Sequence, residues 1–256
     1  MIHASAIIDP SAKLGENVSV GAFTIIGANV TIGDDCWIGP HVVISGPTVI
    51  GKENKIYQFA SIGEAPQDLK YAGESTLLEV GDRNVIREYV TFNRGTITGL
   101  GKTSIGSDNL FMAYCHVAHD CIIGSHVILA NAASLAGHVE VGDHAILGGF
   151  TLVHQFTQIG NQAFCGLGSV ITQDIPPFAT ASGNRARTIG INKEGLKRKG
   201  FSVDLIRALH KSFRLLLRSR LSRDEAMLEL QPLIEQYPDV EYFTKFIMNS
   251  KRGISR

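Results

Sequence analysis

The chain repeats itself every six residues. From Ile2 onward, Ile8, Leu14, Val20, Ile26, Ile32, Ile38, Ile44, Ile50, Ile56 and Ile62 are all aliphatic. The series resumes at Val80, Ile86 and Phe92 and slips by one residue. It then runs from Ile105 through Phe111, Val117, Ile123, Leu129, Leu135, Val141, Leu147, Val153, Ile159 and Cys165 to Ile171, giving 26 apolar positions in phase. The following residue is glycine in 14 of the 26, as tight turns after short strands would require. The fourth residue after each is mostly small, as at Ala12, Thr24, Cys36, Ala60, Cys115, Ala133 and Ser169. A helix or coiled coil needs a period of about 3.6 or 3.5. A period of six with one aliphatic and one small inward position instead predicts an all-β parallel β-helix, a triangular prism with three flat walls. Three hexads close one coil, so residues eighteen apart stack about 4.8 Å from one another.

Two stretches, 63–79 and 95–104, leave the pattern. The first spans one full coil's length and is expected to replace a coil, and both are expected to project as loops. After Ile175, Pro176 and Pro177 end strand pairing. There, Leu205, Leu209, Phe213 and Leu216 share a helical face behind Ser202, Ser222 to Glu225 forms a capping box, and Asp239 opens a third helix. The expected organisation is a β-helix over 1–183 and a small α-helical region over 184–256. Net charge is zero, but it is unevenly placed. Residues 1–183 carry 8 Lys/Arg against 16 Asp/Glu, and residues 184–256 carry 16 against 8, so the second region is where an anionic partner is expected. No basic start followed by an apolar run is present, and no apolar stretch is long enough to span a bilayer. A cytoplasmic protein without membrane insertion follows as the expectation. Cys36, Cys115, Cys121 and Cys165 all fall on inward positions and read as reduced core residues.

Residues 116–121, His-Val-Ala-His-Asp-Cys, acquire meaning from the eighteen-residue coil. Val117 points inward, so His119 and Asp120 are expected on the outer surface. Steps of eighteen lead from His119 to Gly137 and Gln155, from Asp120 to His138 and Phe156, and from Ala118 to Ala136 and His154. Six polar or glycine positions thus gather within about 10 Å of wall. Imidazole beside a carboxylate can take a proton from a hydroxyl near neutral pH, and a glycine leaves its N–H open to a developing oxyanion. No serine or cysteine lies outward in these columns, which points to direct transfer without a covalent enzyme intermediate. Two other readings of the spacing stay open: surface histidines of no consequence, as at His41, His126 and His144, and a metal held by several imidazoles.

Five segments resemble one family: Gly-Glu-Ala-Pro-Gln-Asp-Leu-Lys-Tyr-Ala-Gly-Glu at 63–74, the 116–121 stretch, Leu-Ala-Gly-His-Val-Glu-Val-Gly-Asp at 135–143, Val-His-Gln-Phe at 153–156, and Asn-Lys-Glu-Gly-Leu-Lys-Arg-Lys-Gly-Phe at 192–201. Over essentially its whole length the chain resembles the hexapeptide-repeat UDP-N-acetylglucosamine acyltransferases of lipid A synthesis. The resemblance implies a left-handed β-helix, a homotrimer with sites between subunits, and transfer of an (R)-3-hydroxyacyl chain from acyl carrier protein to the sugar 3-hydroxyl. It implies no cofactor, no metal and no nucleic acid. It also implies roles: His119 as base, Asp120 as its partner, Gly137 as oxyanion donor, and His138 at the acyl or acetamido group. His116, His154 and Gln155 would line the cleft, and Gln67, Asp68 and Lys70 would hold sugar and phosphate. Asn192, Glu194, Arg198 and Lys199 would hold the nucleotide and phosphates. Lys199 stands where some members carry arginine. Leu167 stands where some carry glycine at the end of the acyl groove, which implies a shorter acyl chain. The alternatives are a UDP-sugar N-acyltransferase, whose family has a sizeable domain ahead of its repeats, a metal-dependent hydratase of the carbonic anhydrase type, and a non-catalytic scaffold.

Overall fold

The computed structural model describes all 256 residues, Met1–Arg256. Short strands, most of two residues, build three sheets of nine, eight and ten strands, and the chain winds as a left-handed parallel β-helix. The first wall stacks Ile26 on Ile44 and, higher up, Val117 on Leu135 on Val153. The second stacks Ile32 on Ile50 and the third Ile38 on Ile56. These registers are eighteen residues apart, as the repeat predicts. The inward aliphatic residues and their small neighbours form one cluster of 41 buried residues. Burying each large aliphatic side chain contributes about 1.5–3 kcal/mol. All four cysteines are buried and free.

The edges are not turned by glycine. At most corners the third residue after the inward aliphatic takes the left-handed conformation, and it is almost always a side-chain-bearing residue: Asp35 (φ 59°), Asp120 (φ 59°), His138 (φ 60°) and Phe156 (φ 62°) are examples. Such a backbone costs about 1–2 kcal/mol. The loss is offset because it aims the corner N–H at the coil beneath, as in His138 to the His119 carbonyl (3.0 Å) and Phe156 to the Gly137 carbonyl (3.1 Å). The repeat glycines have a different reason. A Cβ on Gly33 would lie 2.7 Å from the Gly51 backbone, and one on Gly106 would lie 2.5 Å from the Gly124 backbone. Coils approach too closely there for any side chain.

The first insertion does not replace a coil. Ile62 pairs with Phe92 on the first wall and Val80 with Ile50 on the second, both thirty residues apart, so the chain reaches the next wall after a twelve-residue excursion. The second excursion is shorter, since Phe92 pairs with Val117 across 25 residues. Both leave from the edge that follows the first wall. Buried Arg94 holds the first one down, donating to the Gly63 carbonyl and to the Tyr71 hydroxyl (3.2 Å).

In the same coils the second edge has a polar interior. Asn54 Oδ1 accepts from the Asn84 amide N–H (2.9 Å) and Nδ2 (3.0 Å), Asn84 Oδ1 accepts from the Asn109 N–H (3.0 Å), and Asn109 Oδ1 accepts from the Val127 N–H (2.7 Å). The third edge bears an exposed ladder of stacked rings, Phe23, His41, Phe59, Tyr89 and Tyr114.

The third wall ends in Ala179–Ser182, onto which Arg187–Ile191 folds back antiparallel. Position 183 lies in the turn of this pair. Four helices follow: α1 (Lys193–Arg198), α2 (Val203–Leu217), α3 (Arg223–Gln236) and α4 (Pro238–Asn249). Ser202 caps α2 and Ser222 forms a capping box with Glu225, as expected, whereas α1 has no counterpart in the sequence reading. A second core of 15 residues joins the helices to Phe178 and Ile191. The C-terminal tail returns to the prism, with Ser255 N–H on the Asp174 carbonyl (3.0 Å). No helix is long and apolar enough to cross a membrane. Replacing Asn84 by Ala leaves the Asn54 oxygen its bond from the backbone N–H at 84 but strips the buried Asn109 N–H of its acceptor and the Gly106 carbonyl of its side-chain donor, and should cost about 3 kcal/mol. Urea unfolding of the variant should show an earlier midpoint with an unchanged slope.

Candidate functional site

The first edge gathers the predicted cluster. His119 and Gly137 sit on successive coils, so close that a Cβ on Gly137 would lie 2.7 Å from His119 Nε2. His138 stacks on Phe156 at 4.4 Å and stands perpendicular to His119 at 5.1 Å. The Gly137 N–H donates to no protein group.

Asp120 is not on the surface. Its side chain is fully covered because the 95–104 insertion folds over it. The carboxylate accepts from the Thr96 N–H (3.0 Å), the Thr96 hydroxyl (2.7 Å), the Leu100 N–H (3.1 Å) and His119 Nδ1 (2.8 Å). Burial alone would raise its pKa, but the Thr96 and His119 hydrogen bonds outweigh burial and hold the carboxyl below its ordinary value. An ionised carboxylate only accepts, so the His119 Nδ1 facing it carries a proton, and in the neutral ring the lone pair is on Nε2. Burial lowers the pKa of His138 against the pull of Asp120, and burial with the charge of His119 lowers that of His116. Burial thus favours the neutral form of both rings. The ligand atoms of His119, Asp120 and His138 lie within 4.8 Å of one another, a spacing open to a divalent ion.

The other predicted residues are spread around one chain. His116 projects from the first wall beside this edge, its Nδ1 2.7 Å from the Thr91 hydroxyl. His154, on the coil above Gly137, meets Arg252 (3.2 Å) and the carbonyl of Gln155 (3.2 Å). Gln67, Asp68 and Lys70 lie in the first insertion, and the charge of Asp68 reaches His138. The 192–199 group is on the second edge instead. Asn192 caps α1 and donates to the Gln162 carbonyl (3.1 Å), Glu194 pairs with Lys197 (3.0 Å), Arg198 is exposed, and Lys199 Nζ meets His144 (3.2 Å). Leu167 follows a third-wall strand at the third edge and is 74% exposed.

A cavity of about 420 Å³ opens beside Asp120 and His138, walled by Leu100, Phe156, Lys251 and Arg252 among others. None of these four, nor Thr96, was a candidate from sequence. Phe156 had a signal, being the third member of the Asp120 column. Lys251 and Arg252 are more than a hundred residues away and carry no motif. A larger cavity of about 650 Å³ lies between α1 and α2, where Lys193, Lys197, Arg207, His210, Lys211, Arg214 and Arg218 meet no lining carboxylate. It is where the positive surplus is concentrated, and it lacks the acid and base pairing of the first edge.

Comparisons with known proteins agree with this architecture. The family described as "Udp N-acetylglucosamine O-acyltransferase; Domain 2" matches residues 174–255, and the bacterial transferase hexapeptide family matches residues 29–64 and 102–137. A Halorhodospira halophila protein named acyl-[acyl-carrier-protein]--UDP-N-acetylglucosamine O-acyltransferase is 56% identical over 255 residues, covering 100% of this chain and 99% of that one. The crystal structure of UDP-N-acetylglucosamine O-acyltransferase from Moraxella catarrhalis is 48% identical with a TM-score of 0.96, covering 100% and 99%. The Arabidopsis UDP-N-acetylglucosamine acyltransferase structure is 36% identical with a TM-score of 0.87 and covers both chains fully. At these identities over the whole length, the chain belongs to the UDP-N-acetylglucosamine O-acyltransferase family.

Proposed function

We propose that this protein transfers an (R)-3-hydroxyacyl chain from acyl carrier protein to the 3-hydroxyl of UDP-N-acetylglucosamine, the first step of lipid A synthesis. The observation that carries the chemistry is the Asp120-bound His119 beside the unpartnered Gly137 N–H. His119 Nε2 takes the sugar hydroxyl proton as the oxygen attacks the thioester carbonyl. The Gly137 N–H meets the oxyanion. Collapse breaks the C–S bond, and His119 returns its proton to the departing thiolate. The neutral His138 and His116 suit hydrogen bonding to the acyl or acetamido group and to the cleft wall. No covalent step is needed. The nearest thiols, Cys115 and Cys121, are buried core groups whose pKa burial pushes up to about 12.

One chain divides the recognition residues among three edges of a rigid prism. The division supports a homotrimer in which the first edge of one subunit meets neighbouring residues. His154, Gln155, Gln67, Asp68 and Lys70 then hold sugar and phosphate, Asn192, Glu194, Arg198 and Lys199 hold the nucleotide and phosphates, and Leu167 closes the acyl groove. The exposed aromatic third edge is surface such an assembly would cover. Cytoplasmic location fits the soluble nucleotide and carrier substrates.

Mass spectrometry of the protein incubated with UDP-N-acetylglucosamine and a series of 3-hydroxyacyl carrier proteins should find the O-acylated sugar nucleotide. His119→Ala should lower kcat by about 10²- to 10⁴-fold, and unchanged turnover would remove the base assignment. In the same series Leu167→Gly should shift preference toward longer donors. The depressed pKa of Asp120 means that its ionised hydrogen bonds stabilise the fold above about pH 4 and are lost as pH falls further. The melting temperature gap between wild type and Asp120→Asn should therefore stay constant near neutrality and narrow only below that pH.

A further inference from the structure

The second insertion is the unexplained part of the first edge. It interrupts a regular prism at one place only, the coil beneath His119, and it supplies three of the four donors on the Asp120 carboxylate. Thr96 is 3% exposed, and its hydroxyl shares the oxygen Oδ2 with His119 Nδ1. The carboxylate only accepts, so the Thr96 hydroxyl spends its one proton there. The Thr98 hydroxyl, 3.1 Å away, then donates to Thr96. The result is a relay from Thr98 through Thr96 and Asp120 to the imidazole. Gly99 keeps the roof tight, because a Cβ there would strike the Asp120 carboxylate. At the far end of the insertion Thr103, fully buried, accepts the Asp120 backbone N–H (2.9 Å). The insertion thus grips both the backbone and the side chain of Asp120. The charged or titratable neighbours are His119 and His138, the latter 3.8 Å from Oδ2, with Asp68 acting on His138.

We propose that Thr96 is a positioning residue for acyl transfer: its hydroxyl fixes the Asp120 oxygen that holds the His119 ring in the plane and tautomer needed to reach the acceptor hydroxyl. The inference rests on the general-base reading of His119. A carboxylate held only by amides keeps its place but loses the contact that shares an oxygen with the imidazole, so the ring gains freedom that the transferring geometry cannot tolerate.

The test compares Thr96→Val, Thr96→Ala and Thr96→Ser in steady-state assays with UDP-N-acetylglucosamine and the preferred acyl carrier protein, beside His119→Ala. Loss of the hydroxyl should lower kcat by about 10- to 100-fold with KM for the sugar nucleotide nearly unchanged. Ser should restore most of it, and melting temperatures should stay close to wild type. The Ala variant decides the matter should Val fail to fold. Full turnover in a hydroxyl-free variant, or a folded Ser variant as impaired as Ala, overturns the inference. If His119→Ala also keeps full turnover the base reading itself falls, whereas an inactive His119→Ala beside a fully active Thr96→Ala removes only the role of Thr96.

Discussion

Everything in this molecule depends on the hydrogen bonds between successive coils. Each strand is only about two residues long, so no wall can form alone, and a coil holds its shape only against the coils above and below. The left-handed corner residues belong to the same constraint. Their backbone is unfavourable in isolation and is tolerated because it delivers an amide to the coil beneath. Two glycine-bearing backbones then pass too near for any Cβ. A stiff lattice of this kind holds functional groups at fixed spacings without needing loops to fold into place.

The acid and base chemistry draws directly on that lattice. His119 and Gly137 are neighbours because they are one coil apart, and the stacked His138 and Phe156 extend the same column. The lattice alone would leave Asp120 at a wet corner, where a carboxylate is a weak partner for imidazole. The insertion changes its surroundings by covering it and surrounding it with donors. Regular structure places the groups, and the irregular segment sets their electrostatics.

How much could be read from residues alone follows this division. The period of six placed His119, Gly137 and His138 on one edge, because vertical stacking is a matter of counting. It misjudged Asp120 as a surface group, since counting is silent about a roof made by residues outside the repeat. It also assigned the repeat glycines to turning, when the turning is done two residues later and glycine is needed for approach. The step from Ile62 to Val80 equals a coil by coincidence, and only the pairing of Val80 with Ile50 reveals an excursion within one coil. Lys251 and Arg252 reach the cavity through a tail whose path no local pattern encodes. The place of Leu167 on the third edge follows from the same counting, whereas the docking of the 192–199 segment on the second edge lies outside the repeat and no motif could foretell it.

The asparagine ladder at the second edge has a consequence for how such a protein can vary. A purely aliphatic interior would let coils slide past one another by a hexad with little loss. Asn54, Asn84 and Asn109 accept one vertical alignment only, and they occupy the coils where the two excursions begin. They act as a key that restores alignment after each detour. Excursions on the opposite corner are therefore free to lengthen, shorten or be exchanged between relatives, altering what the cleft recognises while the column of histidines stays in line.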